Sequence, residues 1–170
     1  MIKFLLIALA VASADAAPEQ GRRAEPDPIV RFSDQDEAMN GAIAQARASY
    51  PRFLAALAEA PAHEAQNYLL KVALPDADGG VEHIWINELR REEGRLVGAL
   101  ANEPHGLAGM HLGSAVVIDE DHVSDWAVIS EAGMYGSYTT RVMLPFLDPA
   151  EAAEIAQMLT PQPIPASWSR

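Results

Sequence analysis

The chain has 170 residues, 49% hydrophobic and 21% charged, with 12 basic against 24 acidic side chains and no cysteine. That is the composition of a globular protein of single-domain size, able to bury a core without disulfides or a structural metal. The missing Cys excludes thiol nucleophiles, thiolate zinc sites, iron–sulfur clusters and lipoprotein-type lipidation, and a net charge of −12 with a pI near 4.7 argues against binding nucleic acid or an anionic membrane surface.

Met1-Ile2-Lys3 forms a positive start, Phe4 to Ala12 an unbroken apolar run, and Ala14-Asp15-Ala16 a small-x-small cleavage site. The apolar run is shorter than the roughly 20 residues that cross a bilayer, so residues 1–16 read as a signal peptide. The expected product is periplasmic or secreted, without a lipobox cysteine and with no membrane insertion after cleavage. Residues 17–31, broken by Pro18, Pro26 and Pro28, read as a flexible linker. A single α+β domain is expected over 32–160, followed by an extended tail, 161–170, containing Pro161, Pro163 and Pro165.

Ser33-Asp34-Gln35-Asp36 predicts an N-cap and acidic first turn, opening a helix that runs to about Ser49. Pro51 suits the first turn of a second helix, with Phe53, Leu54 and Leu57 as its apolar face and Pro61 as its end. From Asn67 the pattern alternates: Tyr68, Leu70, Val72 and Leu74 share a strand face, and Pro75 to Gly80 is a run of turn formers leading to a strand Val81–Asn87. Arg90–Gly94 reads as a charged turn, Arg95–Ala101 as a third strand, Ala115–Ile118 as a fourth and Asp125–Ile129 as a fifth, with one or two more across Met134–Leu144. Asp148-Pro149-Ala150-Glu151 then opens a C-terminal helix reaching about Leu159. The fold expected is α+β: N-terminal helices, an antiparallel β-meander or small, partly open SH3-like barrel of 5–7 strands, and a C-terminal helix.

Six short groups occur in order along this region: Lys71-Val72, Glu82-His83-Ile84-Trp85, Gly98 with Asn102-Glu103-Pro104, Leu112-Gly113, Asp125-Trp126, and Gly136-Ser137-Tyr138-Thr139-Thr140-Arg141. Their order and spacing over residues 53–144 resemble the YegJ-like family, a bacterial domain of unknown function. The resemblance implies a small α+β domain and supplies no catalytic residues. Ser114 departs from the pattern, which has an acid after the glycine.

The residues themselves nominate a ligand-binding set: Glu82, His83, Trp85, Asn102, Glu103, Asp125, Trp126, Tyr138 and Arg141. Strand alternation puts His83 and Trp85 on one face and Glu82, Ile84 and Ile86 on the other. The simpler assignment buries Trp85, leaves His83 bonded at the core margin and solvates Glu82; the sharper one makes His83 a general base or ligand contact oriented by a carboxylate. Asn102-Glu103-Pro104 is either a rigid strand exit or a turn holding an acid at a pocket rim. Asp125 either caps a turn or accepts the indole N–H of Trp85 or Trp126. Arg141, alone among Thr, Val, Met and Leu, calls for a carboxylate partner among Glu82, Glu103 and Asp125.

No nucleophile elbow, phosphate-binding Gly-rich loop or metalloprotease helix occurs, and the histidines show no ligand spacing, so no cofactor or metal is expected. The sequence therefore favours a non-catalytic binding or interaction module of the cell envelope, with a protein, peptide or envelope component as partner. The alternative is a small hydrolase or ligand-processing enzyme using His83 with Glu103 or Asp125. Convergence of these polar groups on one pocket would favour the enzyme; their dispersal into separate contacts would favour the module.

Overall fold

The computed structural model describes residues 37–168. The signal peptide, the linker and the Ser33 helix cap predicted above lie outside them. Helix α1 spans Glu37–Glu59, and the strands are β1 (Tyr68–Pro75), β2 (Val81–Glu92), β3 (Arg95–Leu100), β4 (Ala115–Val117), β5 (Val123–Ser130) and β6 (Gly133–Gly136). Helices α2 (Tyr138–Met143) and α3 (Pro149–Met158) complete the order. The strands form one open antiparallel sheet in the order β4-β3-β2-β1-β5-β6. The fold is α+β, as expected, but the sheet does not close into a barrel.

The two predicted N-terminal helices are one, and Pro51 lies inside it. Pro51 removes a single backbone donor. Against that stands an unbroken buried stripe of Ala42, Ala46, Ser49 and Phe53, spaced for one face of a continuous helix. Arg47 also ties the helix to the sheet, donating from Nε to Val123 O (2.8 Å) and from Nη2 to Asp121 O (3.0 Å).

Strand β1 is central because it is apolar on both faces. Tyr68, Leu70 and Val72 enter the main core with Phe53, Ile84, Ile86, Leu96, Leu100 and Trp126, while Leu69 joins a second cluster with Ala101 and Ala127 on the opposite face. Strand β2 runs five residues beyond the predicted Asn87, through the Arg90-Arg91-Glu92 stretch assigned to a turn. The turn itself is only Glu93 (φ 50°) and Gly94 (φ 80°), the two-residue positive-φ geometry that matches strand twist.

Two further stretches are settled by local causes. Met134–Leu144 carries one of the one or two strands expected, β6, and after it the chain turns at Ser137 (φ 54°) into α2, whose first N–H groups are capped from β5. The tail is not extended, since Ala166–Trp168 makes a helical turn that sets the Trp168 ring 5.2 Å from Trp126. Asp148 does cap α3, accepting from Ala150 and Glu151 N–H. Among the described residues no helix is long and apolar enough to cross a membrane.

Candidate functional site

Helix α1 covers one face of the sheet, and on the other face the register gathers the polar residues. Lys71 on β1 stands opposite Trp85 on β2 and Asp125 on β5. One residue further the β1–β5 register slips, so that Val72 faces Val123 and Ser124 is an extra residue in β5. A bulge of this kind re-aims side chains that strict alternation would separate. Ser124 accordingly reaches His83 Nδ1 (2.9 Å) and Lys71 O (3.2 Å).

Lys71 is one of two lysines in the chain, the other being Lys3. Its Nζ donates to Thr139 Oγ1 at 3.3 Å and lies 5.5 Å from the centre of the Trp85 ring. The Thr139 hydroxyl in turn donates to Asp125 Oδ2 at 2.7 Å, so one hydroxyl links the ammonium to the carboxylate. Asp125 is fully buried and accepts three more bonds, from the N–H groups of Trp126 (2.8 Å), Tyr138 (3.1 Å) and Thr139 (2.8 Å). Burial raises the Asp125 carboxyl above the usual carboxylate range, against the pull of those bonds and of Lys71. Burial likewise lowers the Lys71 amine, with Asp125 opposing.

The other nominated residues go elsewhere. Ile84 (1% exposed) and Ile86 (0%) take the core face, which puts Trp85 and His83 on the opposite face and not in and beside the main core. Glu82 is not solvated: its carboxylate accepts from His105 N–H and, at 2.8 Å, from Gly106 N–H. Glu103 accepts from Leu112 N–H (3.0 Å), and Asn102 Oδ1 accepts from Trp85 N–H (3.3 Å). These three brace the loop between β3 and β4 as a rigid strand exit. Trp126 sits in the core and donates its indole N–H to Ser49 Oγ (2.9 Å) and Ala46 O (3.2 Å), not to Asp125. Tyr138 packs edge-on against Trp126, with its hydroxyl 3.2 Å from Ser49 Oγ.

Among the described residues Arg141 forms no salt bridge with a carboxylate. It donates to carbonyls instead: Gly136 O (2.9 Å), Thr160 O (2.8 Å) and Met134 O (3.4 Å), binding the C-terminal segment to β6. A guanidinium offers five donors in a fixed fork, and a cluster of backbone oxygens satisfies several of them without a formal charge. No group of three or more His, Asp or Glu side chains able to hold a metal occurs among the described residues.

Of the nine nominated residues, the structure brings His83, Trp85 and Asp125 together around Lys71, Ser124 and Thr139. Those last three were not nominated. The signal for Lys71 was present, a lone amine on the non-core face of an apolar strand; Ser124 was hidden by the bulge and Thr139 by the reading of its segment as strand.

The class defined is an α+β domain with one open sheet and a hydrogen-bonded Lys–Thr–Asp chain on the sheet face opposite α1. The family described as an uncharacterized protein conserved in bacteria (DUF2314) matches residues 36–159, and the chain belongs to that family. It is 26% identical to the uncharacterized protein YegJ of Escherichia coli strain K12 over 133 residues, 78% of this chain and 84% of that protein. It is also 33% identical to a putative ankyrin repeat protein of Neisseria meningitidis serogroup B over 67 residues, 39% of this chain and 26% of that protein. No solved structure matches the chain.

Proposed function

We propose that this bacterial protein is exported to the cell envelope and acts there as a non-catalytic binding module, its contact surface being the sheet face around Trp85, His83 and Lys71. The observation that carries this reading is the dispersal of the polar candidates. Glu82, Asn102, Glu103 and Arg141 end on backbone groups of their own chain, and Asp125 is occupied by the start of α2. A His83-based hydrolase would need its carboxylate free to orient the imidazole, whereas Glu103 holds the loop and Asp125 caps α2. Export rests on the apolar leader ending at Ala16.

The test has two arms in bacterial cells producing the full chain with a C-terminal tag. Fractionation with N-terminal sequencing is expected to find the chain in the envelope fraction, starting at Ala17; an intact leader in the cytoplasm would refute export. A photo-crosslinking residue at Asn87, on the Trp85 face, is expected to give a discrete adduct that Trp85→Ala removes, while the same residue at Ala48 on α1 gives none. Equal adducts from both positions, or none, would refute the contact surface.

A further inference from the structure

The two edges of the sheet are finished differently, and the unfinished one carries a second inference. At the β6 edge Leu159 bridges Met134 in parallel, Thr160 N–H donates to Met134 O (3.1 Å) and Gly136 N–H donates to Pro163 O (2.7 Å). At the β4 edge nothing comparable occurs among the described residues. Ser114 O and Ile118 N–H both point to β3, at Leu100 and Leu96, so Val116 between them also faces β3 and the N–H and C=O groups of Ala115 and Val117 point outward.

Natural edges are commonly blunted by Lys or Pro; Ala115-Val116-Val117 has neither and relies on shortness alone. Ala115 is exposed and Val117 is 53% exposed. Beside β4 lies a groove of about 430 Å³ walled by Leu74, Leu107, Met110 and Val116. Exposed Met110 and Leu112 stand on the loop that enters the strand. The flanks of the strand itself are acidic: from Leu96 to Thr140 the chain has no Lys or Arg, Asp119 and Asp121 follow β4 and Asp76 stands in the groove wall, while Glu120 between them is taken up by Arg91 of β2 at 3.2 Å.

We propose that β4 takes an extended peptide of a partner protein as an added strand, with apolar side chains in the groove and basic residues at its flanks. Outward backbone groups supply the affinity in such pairing, and the apolar groove with acidic flanks supplies the selection. A second copy of the chain is a poorer occupant because it carries the same −12 charge and the same acidic flanks. The proposal rests on the reading of the domain as a binding module but not on the Trp85 surface.

The probe is a synthetic peptide of alternating Val and Thr with Lys at both ends, titrated into the full chain while amide hydrogen exchange is followed. The Ala115 and Val117 N–H groups are expected to exchange quickly in the free protein and to become protected on binding. N-methylation of alternate peptide amides is expected to weaken binding roughly tenfold or more, as loss of two backbone hydrogen bonds implies. Ala115→Pro, which removes an outward donor, is expected to weaken binding while Trp85→Ala leaves it unchanged; the Trp85 surface can thus fail without this proposal failing, and the reverse. No binding, or binding indifferent to N-methylation, overturns the proposal. So does protection of both amides in the peptide-free monomer, which would make the chain's own N-terminal residues the occupant, or protection that appears only with dimerisation.

Discussion

The β6 and β4 edges solve the same problem in opposite ways. Beyond β5, where β6 pairs only with Ala127–Ser130, helix α2 and the C-terminal segment occupy the remaining edge and their polar groups are consumed: Asp125 caps α2 and Arg141 gathers the tail's carbonyls. At β4 the chain stops after three residues and leaves its outward backbone groups to solvent. Most of the side chains that look catalytic in the sequence belong to finishing edges and loops. A buried acid or a lone arginine in a strand-rich stretch is therefore as much a sign of edge closure as of chemistry.

The sharpest way to break the closed edge is Asp125→Ala. It strips the acceptor from three N–H groups and the Thr139 hydroxyl, all buried, and is expected to cost about 3 kcal/mol or more of unfolding free energy in urea melts. The same cluster gives a sign to the pH dependence. A Lys71 amine lowered by burial binds its proton less well folded than unfolded, so its contribution to stability rises with pH between its folded value and the ordinary 10.5. Lys71→Met, compared with the parent chain, is expected to show a stability advantage that shrinks as pH rises through that window; an advantage independent of pH would remove Lys71 from the account.

Arg141→Ala is expected to cost less, about 2 kcal/mol, because its partners are carbonyls that water can reach once the tail lifts. Its distinguishing mark is local: faster exchange at Gly136 N–H and a change in tryptophan fluorescence as Trp168 leaves Trp126.

What was legible in the sequence follows the same division. Alternation along Tyr68–Leu74 and the cap at Asp148 were readable because they depend on neighbours within a few residues. Continuity of α1 through Pro51 was not, since a buried stripe running to Phe53 and the Arg47 bonds to residues 121 and 123 outweigh one missing donor. The helical state of Tyr138–Met143 was also hidden, because Thr139, Thr140 and Val142 favour strand locally and the capping carboxylate lies thirteen residues before Tyr138. The candidate site was half legible. His83 and Trp85 share a face by simple alternation, but Ser124 joins them only through a bulge that pairing with β1 imposes.

Ser137, between β6 and α2, offers a gain instead of a loss. Its φ of 54° strains a residue with a Cβ, and its buried Oγ has no hydrogen-bond partner among the described residues. Ser137→Gly relieves both and is expected to raise stability by about 1 kcal/mol, seen as a higher Tm. A lower Tm would mean that the hydroxyl is satisfied in solution by water.

The smallest effect on stability is expected at the open edge. Val117→Lys places a charge on a half-exposed side chain that contributes little to the core, so unfolding free energy should stay within about 0.5 kcal/mol of the parent. The same change adds the blunting residue that edges elsewhere carry and puts a cation beside Asp119 and Asp121. If the edge exists to be paired, peptide binding falls while the melt does not move. A melt that falls with the binding would instead make β4 part of the scaffold, and the contrast between the two edges would then be one of length alone.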